Sequence, residues 1–300
     1  MSGAVMVGKE RMRKAMKCGR MRVGAAELAV GLVVVGLASA GWVWAEAPAA
    51  ASVSFDNYVA EVGARLAQEH RSREGFLAGE AGTAEGQSRL RRGEVIVEEI
   101  SPAGGAELPG ALLHDWRGTA FAPGAKAADF EKLLRDFDGY PKIFAPQVTK
   151  ARTLAANGDR VEGWMQVRQK HVLTVVTNAT YAVEFGRLDA PDGDALDGWS
   201  ASRSTRIAEV DRAGTSRERE LSPGEEHGFL WRMNTYWSWQ ERDGGLSMQV
   251  ESVSLTRAIP VGLGWVVKPF IESIPRESLE FTLQAAVKAL GTQKKQQTGE

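Results

Sequence analysis

The chain has 300 residues, of which 43% are hydrophobic and 25% are charged, with a formal net charge of −1. These values are typical of globular proteins and provide enough chain for one substantial core. Residues 1–45 carry seven Lys/Arg and two Asp/Glu, and the remainder holds 30 basic and 36 acidic residues. This balance excludes the basic pattern of a nucleic-acid-binding protein.

Residues 1–45 have the pattern of an export signal, because the basic stretch Lys9–Arg22 precedes the 18-residue apolar run Leu28–Ala45. The small residues of Val43-Trp44-Ala45 favour cleavage before Glu46, with Ala38-Ser39-Ala40 as a second candidate. The alternative is a retained anchor, since spanning a bilayer takes roughly 20 apolar residues. We therefore expect an exported protein, periplasmic or extracellular, that is either free or anchored by residues 28–45.

The N-terminal part of the mature chain is predicted to be a helix followed by a linker. The only cysteine, Cys18, lies in the leader, so the mature protein has no disulfide and no thiolate nucleophile or metal ligand. Apolar residues recur at helical spacing over 55–71, and the charged, Gly-rich stretch to Arg92 indicates a solvated linker. The helical positions are Phe55, Tyr58, Val59, Val62 and Leu66.

From Glu94 the apolar period changes to two, which indicates strands separated by turns rich in Gly, Pro, Asn and Asp. A short helix over Ala127–Phe137 and a second short turn from Tyr140 interrupt this pattern. The predicted strands are 95–100, Ala111–Ala122, Gln147–Ala156, Arg160–Gln169, His171–Phe185, Trp199–Val210, Gly228–Gln240 and Leu246–Ile259.

The chain closes with the long amphipathic segment Gly262–Leu290, in which apolar residues return at helical spacing. Pro269 and Pro275 are expected to perturb this helix, with Pro275 in the first turn of its second piece and Gly291 as the C′ residue. Residues 292–300 are predicted to be a disordered tail.

The order of a strand, two short helices, a meander and a long terminal helix resembles the Bet v 1-like, START-related superfamily. Its members are also described as SRPBCC, polyketide cyclase/dehydrase-like or coenzyme Q-binding-like proteins. The stretch Tyr140-Pro-Lys-Ile-Phe-Ala-Pro146 and the segment Gly228–Leu290 carry this resemblance, which covers about residues 111–290. It implies an α+β helix-grip fold over residues 93–291, in which a curved antiparallel sheet wraps around the terminal helix. It also implies a cavity for a lipid, sterol, quinone or polyketide-like molecule.

The residues themselves also predict an apolar cavity, because large apolar side chains alternate with polar ones along Gly228–Gln240. The alternative is that these side chains pack against the helix and leave no cavity. Ligands are expected to enter near Tyr140–Pro146 and the Ile259–Trp265 loop, where Pro and Gly interrupt regular structure. The predicted ligand-binding residues are Met165, Leu173, Val175, Tyr181, Trp231, Met233, Trp237, Trp265 and Phe270.

Histidines and charged residues offer a weaker case for catalysis. His114 and His171 stand in strands and could act as general bases, although a hydrogen-bonded structural role is the commoner one. His227 is expected to be exposed. Arg232 and Glu251 are predicted on the face opposite the tryptophans, as a solvated cross-strand pair, or as a buried pair if the faces are exchanged.

The chain contains no nucleophile elbow, no nucleotide-binding glycine motif and no metal-ligand spacing. We therefore predict no metal, no cofactor and no catalytic residue. The preferred function is a carrier for a hydrophobic small molecule, with contact with a membrane during ligand exchange. Two alternatives remain: a cyclase- or dehydratase-like enzyme acting on such a ligand, and a cell-envelope interaction module that uses the 55–71 helix.

Overall fold

The computed structural model describes residues 46–71, 76–102, 105–170, 174–187, 197–258 and 264–298. The leader, His171 and Leu173 lie outside these ranges. The helices are α1 (Ala49–Glu69), α2 (Ala84–Arg91), α3 (Ala127–Arg135), α4 (Tyr140–Ile143) and α5 (Gly264–Thr298). The strands are β1 (Ile96–Glu99), β2 (Ala106–Leu108), β3 (Ala111–Pro123), β4 (Val148–Asn157), β5 (Arg160–Lys170), β6 (Thr174–Arg187), β7 (Gly198–Asp211), β8 (Arg219–Glu220), β9 (Arg232–Arg242) and β10 (Gly245–Arg257).

The strands form one antiparallel sheet in the order β1-β3-β10-β9-β7-β6-β5-β4, with β2 paired to β3 and β8 paired to β7. The sheet curves around α5, and α3 and α4 follow β3. This is the predicted α+β helix-grip fold, which is therefore confirmed. The eight predicted strands correspond to the eight longer ones, because alternating apolar residues and turn dipeptides are strong local signals, whereas the short β2 and β8 were not predicted.

We call the side of the sheet that packs on α5 the inner face. Residues paired directly across antiparallel strands share a face, and Trp237 pairs with Val250, which pairs with Gly118. Leu283 of α5 lies against Gly118. Phe130 of α3 meets Trp237 edge-on, with ring centroids 5.2 Å apart. These contacts form the main core and close one end of the grip.

We call the opposite side the outer face, and α1 covers part of it. Phe55, Val62 and Leu66 of α1 are buried against Tyr236 and Val253 of the sheet. The helix begins at Ala49, six residues before the predicted start. It is therefore part of a second hydrophobic cluster.

The predicted solvated linker is wrong for the described residues between 76 and 92. Phe76 and Leu90 are almost fully buried, and α2 begins at a Thr83 side chain that accepts a hydrogen bond from Gly86. Ion pairs of Arg89 with Glu80 and Glu94 account for the charged composition that suggested a linker.

The terminal helix is longer than predicted and continuous. It passes through Pro269 and Pro275 and continues beyond Gly291 to Thr298, so the predicted disordered tail is helical as far as that residue. A proline removes one backbone donor, which kinks a helix without necessarily ending it. Glycine favours a C′ position but does not impose one.

Candidate functional site

The inner face changes character along the strands. Near α3 its side chains are sealed: Trp239 and Met248 are fully buried. One row further along, Ser202 pairs with Thr235, which pairs with Ser252, and all three are half-buried. We call these three residues the hydroxyl row. The row ends at Trp116, the partner of Ser252 on β3.

The next row along the inner face combines apolar and polar groups. Met233 pairs with Ser254, which pairs with His114. On the same face, Tyr181 of β6 pairs with Ser204 of β7. Tyr181 is buried and its hydroxyl lies 3.8 Å from the sulfur of Met233. These two rows lie towards the end of the sheet where β10 leaves at Arg257 and α5 begins, so they form a candidate ligand site.

The structure brings together four of the predicted ligand-binding residues on the inner face. Tyr181 and Trp237 are buried in the main core, Met165 is packed against it, and Met233 is half-buried. Val175 is half-buried on β6. Leu173 and the side chains of Trp265 and Phe270 lie outside the described part of the chain.

Trp231 is placed differently from the prediction. It packs against the outer-face cluster beneath α1. Its position follows from the start of β9, which begins only at Arg232, so the alternation along the strand does not extend to Trp231 or Phe229. Phe229 is 43% exposed and stacks on His227.

A buried carboxylate explains why β9 starts late. Glu209 on β7 accepts hydrogen bonds from the backbone N–H groups of His227, Gly228 and Phe229, at 3.0, 2.9 and 3.1 Å. The Nδ1 atom of His227 lies 2.7 Å from the same carboxylate. Pairing between β7 and β9 has already ended at Arg203. Glu209 therefore fixes the loop that fills the gap between the two strands.

Of the candidate histidines that the structure describes, His114 lies on the inner face and His227 lies in the loop before β9. His114 is buried, and burial lowers its pKa to about 4, so it is neutral at pH 7. Its Nε2 atom lies 3.3 Å from the hydroxyl of Thr256. Burial also raises the pKa of Tyr181, which therefore keeps its proton. His227 is half-exposed, as predicted.

His70, the residue that follows α1, contacts the outer face of the sheet. Its Nε2 atom lies 2.7 Å from the hydroxyl of Ser238 on the outer face. Burial lowers the pKa of His70 to about 4. The residue therefore fastens the end of α1 to the sheet.

Arg232 and Glu251 lie on the outer face, as predicted, but they do not pair with each other. Glu251 is buried and accepts hydrogen bonds from Arg117, at 2.8 and 3.1 Å, and from Arg65 of α1. Arg232 bonds Asp56 of α1 at 2.9 Å. The predicted pairing was wrong because Arg117 of β3 and two residues of α1 supply the partners, and the sequence does not reveal that α1 covers this face.

Asp115 completes the polar layer beneath α1. The hydroxyl of Tyr58 donates to its Oδ2 atom at 2.8 Å, while Oδ1 has no partner among the described residues. Burial, followed by the nearby carboxylate of Glu251, raises the pKa of Asp115 to about 7. This layer joins α1 to the sheet.

The sequence does not reveal the hydroxyl row or the role of Glu209. Small hydroxyl residues in strands carry no distinctive signal, and their common face depends on strand order. The described residues contain no cluster of three His, Cys, Asp or Glu side chains suited to a metal ion. Among the same residues, no helix is both long and apolar enough to cross a bilayer.

Comparison with known proteins gives similar folds at low sequence identity. No protein-family model and no curated protein sequence matches the chain. A STAR-related lipid transfer protein from Xanthomonas axonopodis is 18% identical with a TM-score of 0.39, and the match covers 62% of this chain and 96% of that one. Zhui aromatase/cyclase from Streptomyces sp. R1128 is 13% identical with a TM-score of 0.39, and the match covers 60% of this chain and 94% of that one.

Human STARD10 is 11% identical with a TM-score of 0.40, and the match covers 74% of this chain and 84% of that one. The fold of this chain is defined by its strand order, the two short helices after β3 and the packing of α5 on the inner face. The chain therefore has a helix-grip fold.

Proposed function

We propose that the domain binds a hydrophobic small molecule between the inner face and α5, and releases it chemically unchanged. One observation carries this proposal: the inner face passes from sealed side chains to a half-buried surface at Met233, Thr235 and Ser252. Binding sites for small molecules are mostly apolar concave surfaces with a few orienting polar groups. Met165 and Ile207 supply further apolar surface beside this region.

Binding is best tested by placing a charge on this surface. Met233→Glu should reduce the affinity of the full-length protein for the neutral fluorescent probe 1-aminoanthracene by at least about tenfold, since an unpaired charge in an apolar site is unfavourable. Met233 suits this test better than Trp237, which packs tightly against Phe130. Leu154→Glu is the matched control, because Leu154 is 43% exposed on β4.

Thermal unfolding of both variants must first establish that they are folded. A folded Met233→Glu protein that binds the probe as tightly as wild type would place the ligand elsewhere. A wild-type protein that binds no probe, and that purifies without any apolar molecule detectable by mass spectrometry, would remove the carrier proposal.

A second candidate function is catalysis on the bound molecule. It is favoured by Tyr181 and His114, two ionisable side chains on the inner face, one a proton donor and the other a neutral base at pH 7. Time-dependent conversion of the natural ligand, lost in Tyr181→Phe, would move the protein into this class.

We further propose that the protein is exported and acts outside the cytoplasm. The basic stretch Lys9–Arg22 followed by the apolar run Leu28–Ala45 supports this. The intact mass of the protein from its producing cell tests it. A chain that begins at Glu46 fits a cleaved leader, and a chain that retains Leu28–Ala45 fits an anchored protein.

A further inference from the structure

We propose that the ligand carries several uncharged oxygen groups, such as ketone and hydroxyl groups on a ring system, which hydrogen-bond to the hydroxyl row. The proposal rests on the proposed function and names the chemistry of the ligand. It predicts that the site prefers an oxygen-rich ring compound to a bare hydrocarbon and to a molecule with a charged group at this position.

The hydroxyl row is a continuous line across three neighbouring strands. Ser202 on β7 faces the same side as Thr235 on β9, and Thr235 the same side as Ser252 on β10. Adjacent strands lie about 4.8 Å apart, so the three side chains present hydroxyls at regular intervals across the inner face. In the next row, Ser254 extends the same surface from β10.

These hydroxyls are available to a ligand. Ser202, Thr235, Ser252 and Ser254 are all half-buried. Within the described part of the chain, their side chains form no hydrogen bond, unlike the neighbouring Ser204, which accepts one from the backbone N–H of Met233 at 2.9 Å. A hydroxyl can both donate and accept, so each can bond to a ketone, an ether or another hydroxyl.

A hydrocarbon is a poor match for this surface. Covering the hydroxyls with an alkyl chain removes their water and leaves several buried polar groups without partners, which is unfavourable for each of them. Oxygen groups on the ligand replace the lost water directly. Since unsatisfied polar groups discriminate strongly between ligands, the row acts as a selectivity element.

A charged group is also a poor match. The hydroxyl row and the row beside it contain no Lys, Arg, Asp or Glu among the described residues, and burial keeps His114 neutral at pH 7. Glu209, the nearest carboxylate along β7, is already engaged by the His227–Phe229 loop. The hydroxyl row itself therefore offers no counter-charge to an ionic ligand. Glu99 of β1, which pairs with Trp116 at the end of the row, already has a partner of its own.

The test compares two molecules with one carbon skeleton, naphthalene and 2,6-dihydroxynaphthalene, as competitors of 1-aminoanthracene on the full-length protein. Both are uncharged at pH 7. For wild type, the diol should displace the probe at a concentration at least about tenfold lower than naphthalene, which is the effect of one to two hydrogen bonds. In the triple variant Ser202→Ala/Thr235→Val/Ser252→Ala, this preference should fall to about threefold or less.

The matched control is Ser54→Ala/Ser88→Ala/Thr292→Val, which removes three exposed helical hydroxyls that bond only the backbone of their own helices. It should keep the wild-type preference. The inference is overturned if the hydroxyl-row variant keeps the wild-type preference for the diol, or if both molecules displace the probe equally from wild type. In either case, binding of the probe itself still supports the carrier function. A wild-type protein that binds no 1-aminoanthracene, and that purifies without any apolar molecule detectable by mass spectrometry, overturns both.

Discussion

Leu283 of α5 packs directly on Gly118 at the centre of β3: a Cβ atom on residue 118 would come within 2.7 Å of the Leu283 Cδ1 atom. The absence of a side chain at Gly118 lets the helix approach the sheet closely. Leu283 is fully buried there, as the helical spacing of the sequence predicted. The contact fixes the position of α5 over the inner face.

Leu283→Ala should lower the free energy of unfolding by about 2–5 kcal/mol, because it removes a fully buried side chain from a tightly packed site. Urea denaturation of wild type and variant measures the difference. Leu154→Ala, on an exposed strand position, is the control and should change stability by less than about 0.5 kcal/mol. A loss well below about 1 kcal/mol for Leu283→Ala would mean that α5 packs on the sheet through a different face.

The sequence was sufficient to predict the inner face. Alternation along β6 and β9 placed Tyr181, Met233 and Trp237 on one side, and the spacing of Leu279 and Leu283 identified the buried side of α5. Both signals are local, since each depends on a period of two or 3.6 residues within one element. Local signals of this kind are reliable when one face is buried.

The sequence was not sufficient to predict the outer face or the hydroxyl row. Arg65 and Glu251 are 186 residues apart in the chain, and nothing in either local pattern indicates that they meet. The common face of Ser202 and Thr235 depends on β7 lying next to β9, across a connection that includes β8. Such relationships are set by tertiary packing and not by the local period.

Arg117→Met should cost about 3–5 kcal/mol, because Glu251 would keep a buried charge with fewer partners. The double variant Arg117→Met/Glu251→Met should be less destabilised than the sum of the two single variants, since it removes both charges and keeps apolar volume. Denaturant unfolding of the four proteins gives the coupling energy. Strictly additive losses would show that the two side chains are independent.

The stability effect of Asp115→Asn should depend on pH. Because burial raises the pKa of Asp115 to about 7 from an ordinary value of 3.8, the folded protein holds this proton between about pH 4 and 7 while the unfolded chain releases it. The contribution of Asp115 to the stability of wild type therefore decreases as pH rises through that window. Asparagine cannot ionise, so the stability of the variant relative to wild type should increase as pH rises, by about 2–4 kcal/mol at pH 8 relative to pH 4.

Urea denaturation of wild type and Asp115→Asn at pH 4, 6 and 8 measures this trend. Asp159→Asn is the control for the substitution itself, because the Asp159 side chain is 82% exposed. The partner of Asp115 on α1, Tyr58, keeps an acceptor in the variant. A difference that stays constant from pH 4 to pH 8 would indicate that Asp115 is ionised throughout.

Glu209→Ala should release the loop that precedes β9. The carboxylate is almost fully buried and bonds three consecutive backbone N–H groups and the His227 ring. Hydrogen bonds to a charged group contribute about 1.5–3 kcal/mol, so we expect a stability loss of at least that size.

Hydrogen exchange is the more specific measurement for this prediction. The amides of His227, Gly228 and Phe229 should exchange faster in Glu209→Ala than the loss of overall stability accounts for. The exchange rates of amides in the central strand β10 should rise by no more than that loss. Glu209→Gln, which retains an acceptor oxygen, should have an intermediate effect, and Glu184→Ala on the exposed side of β6 should have none. Unchanged exchange in Glu209→Ala would mean that the start of β9 is fixed by the backbone bonds of Trp231 and Arg257 alone.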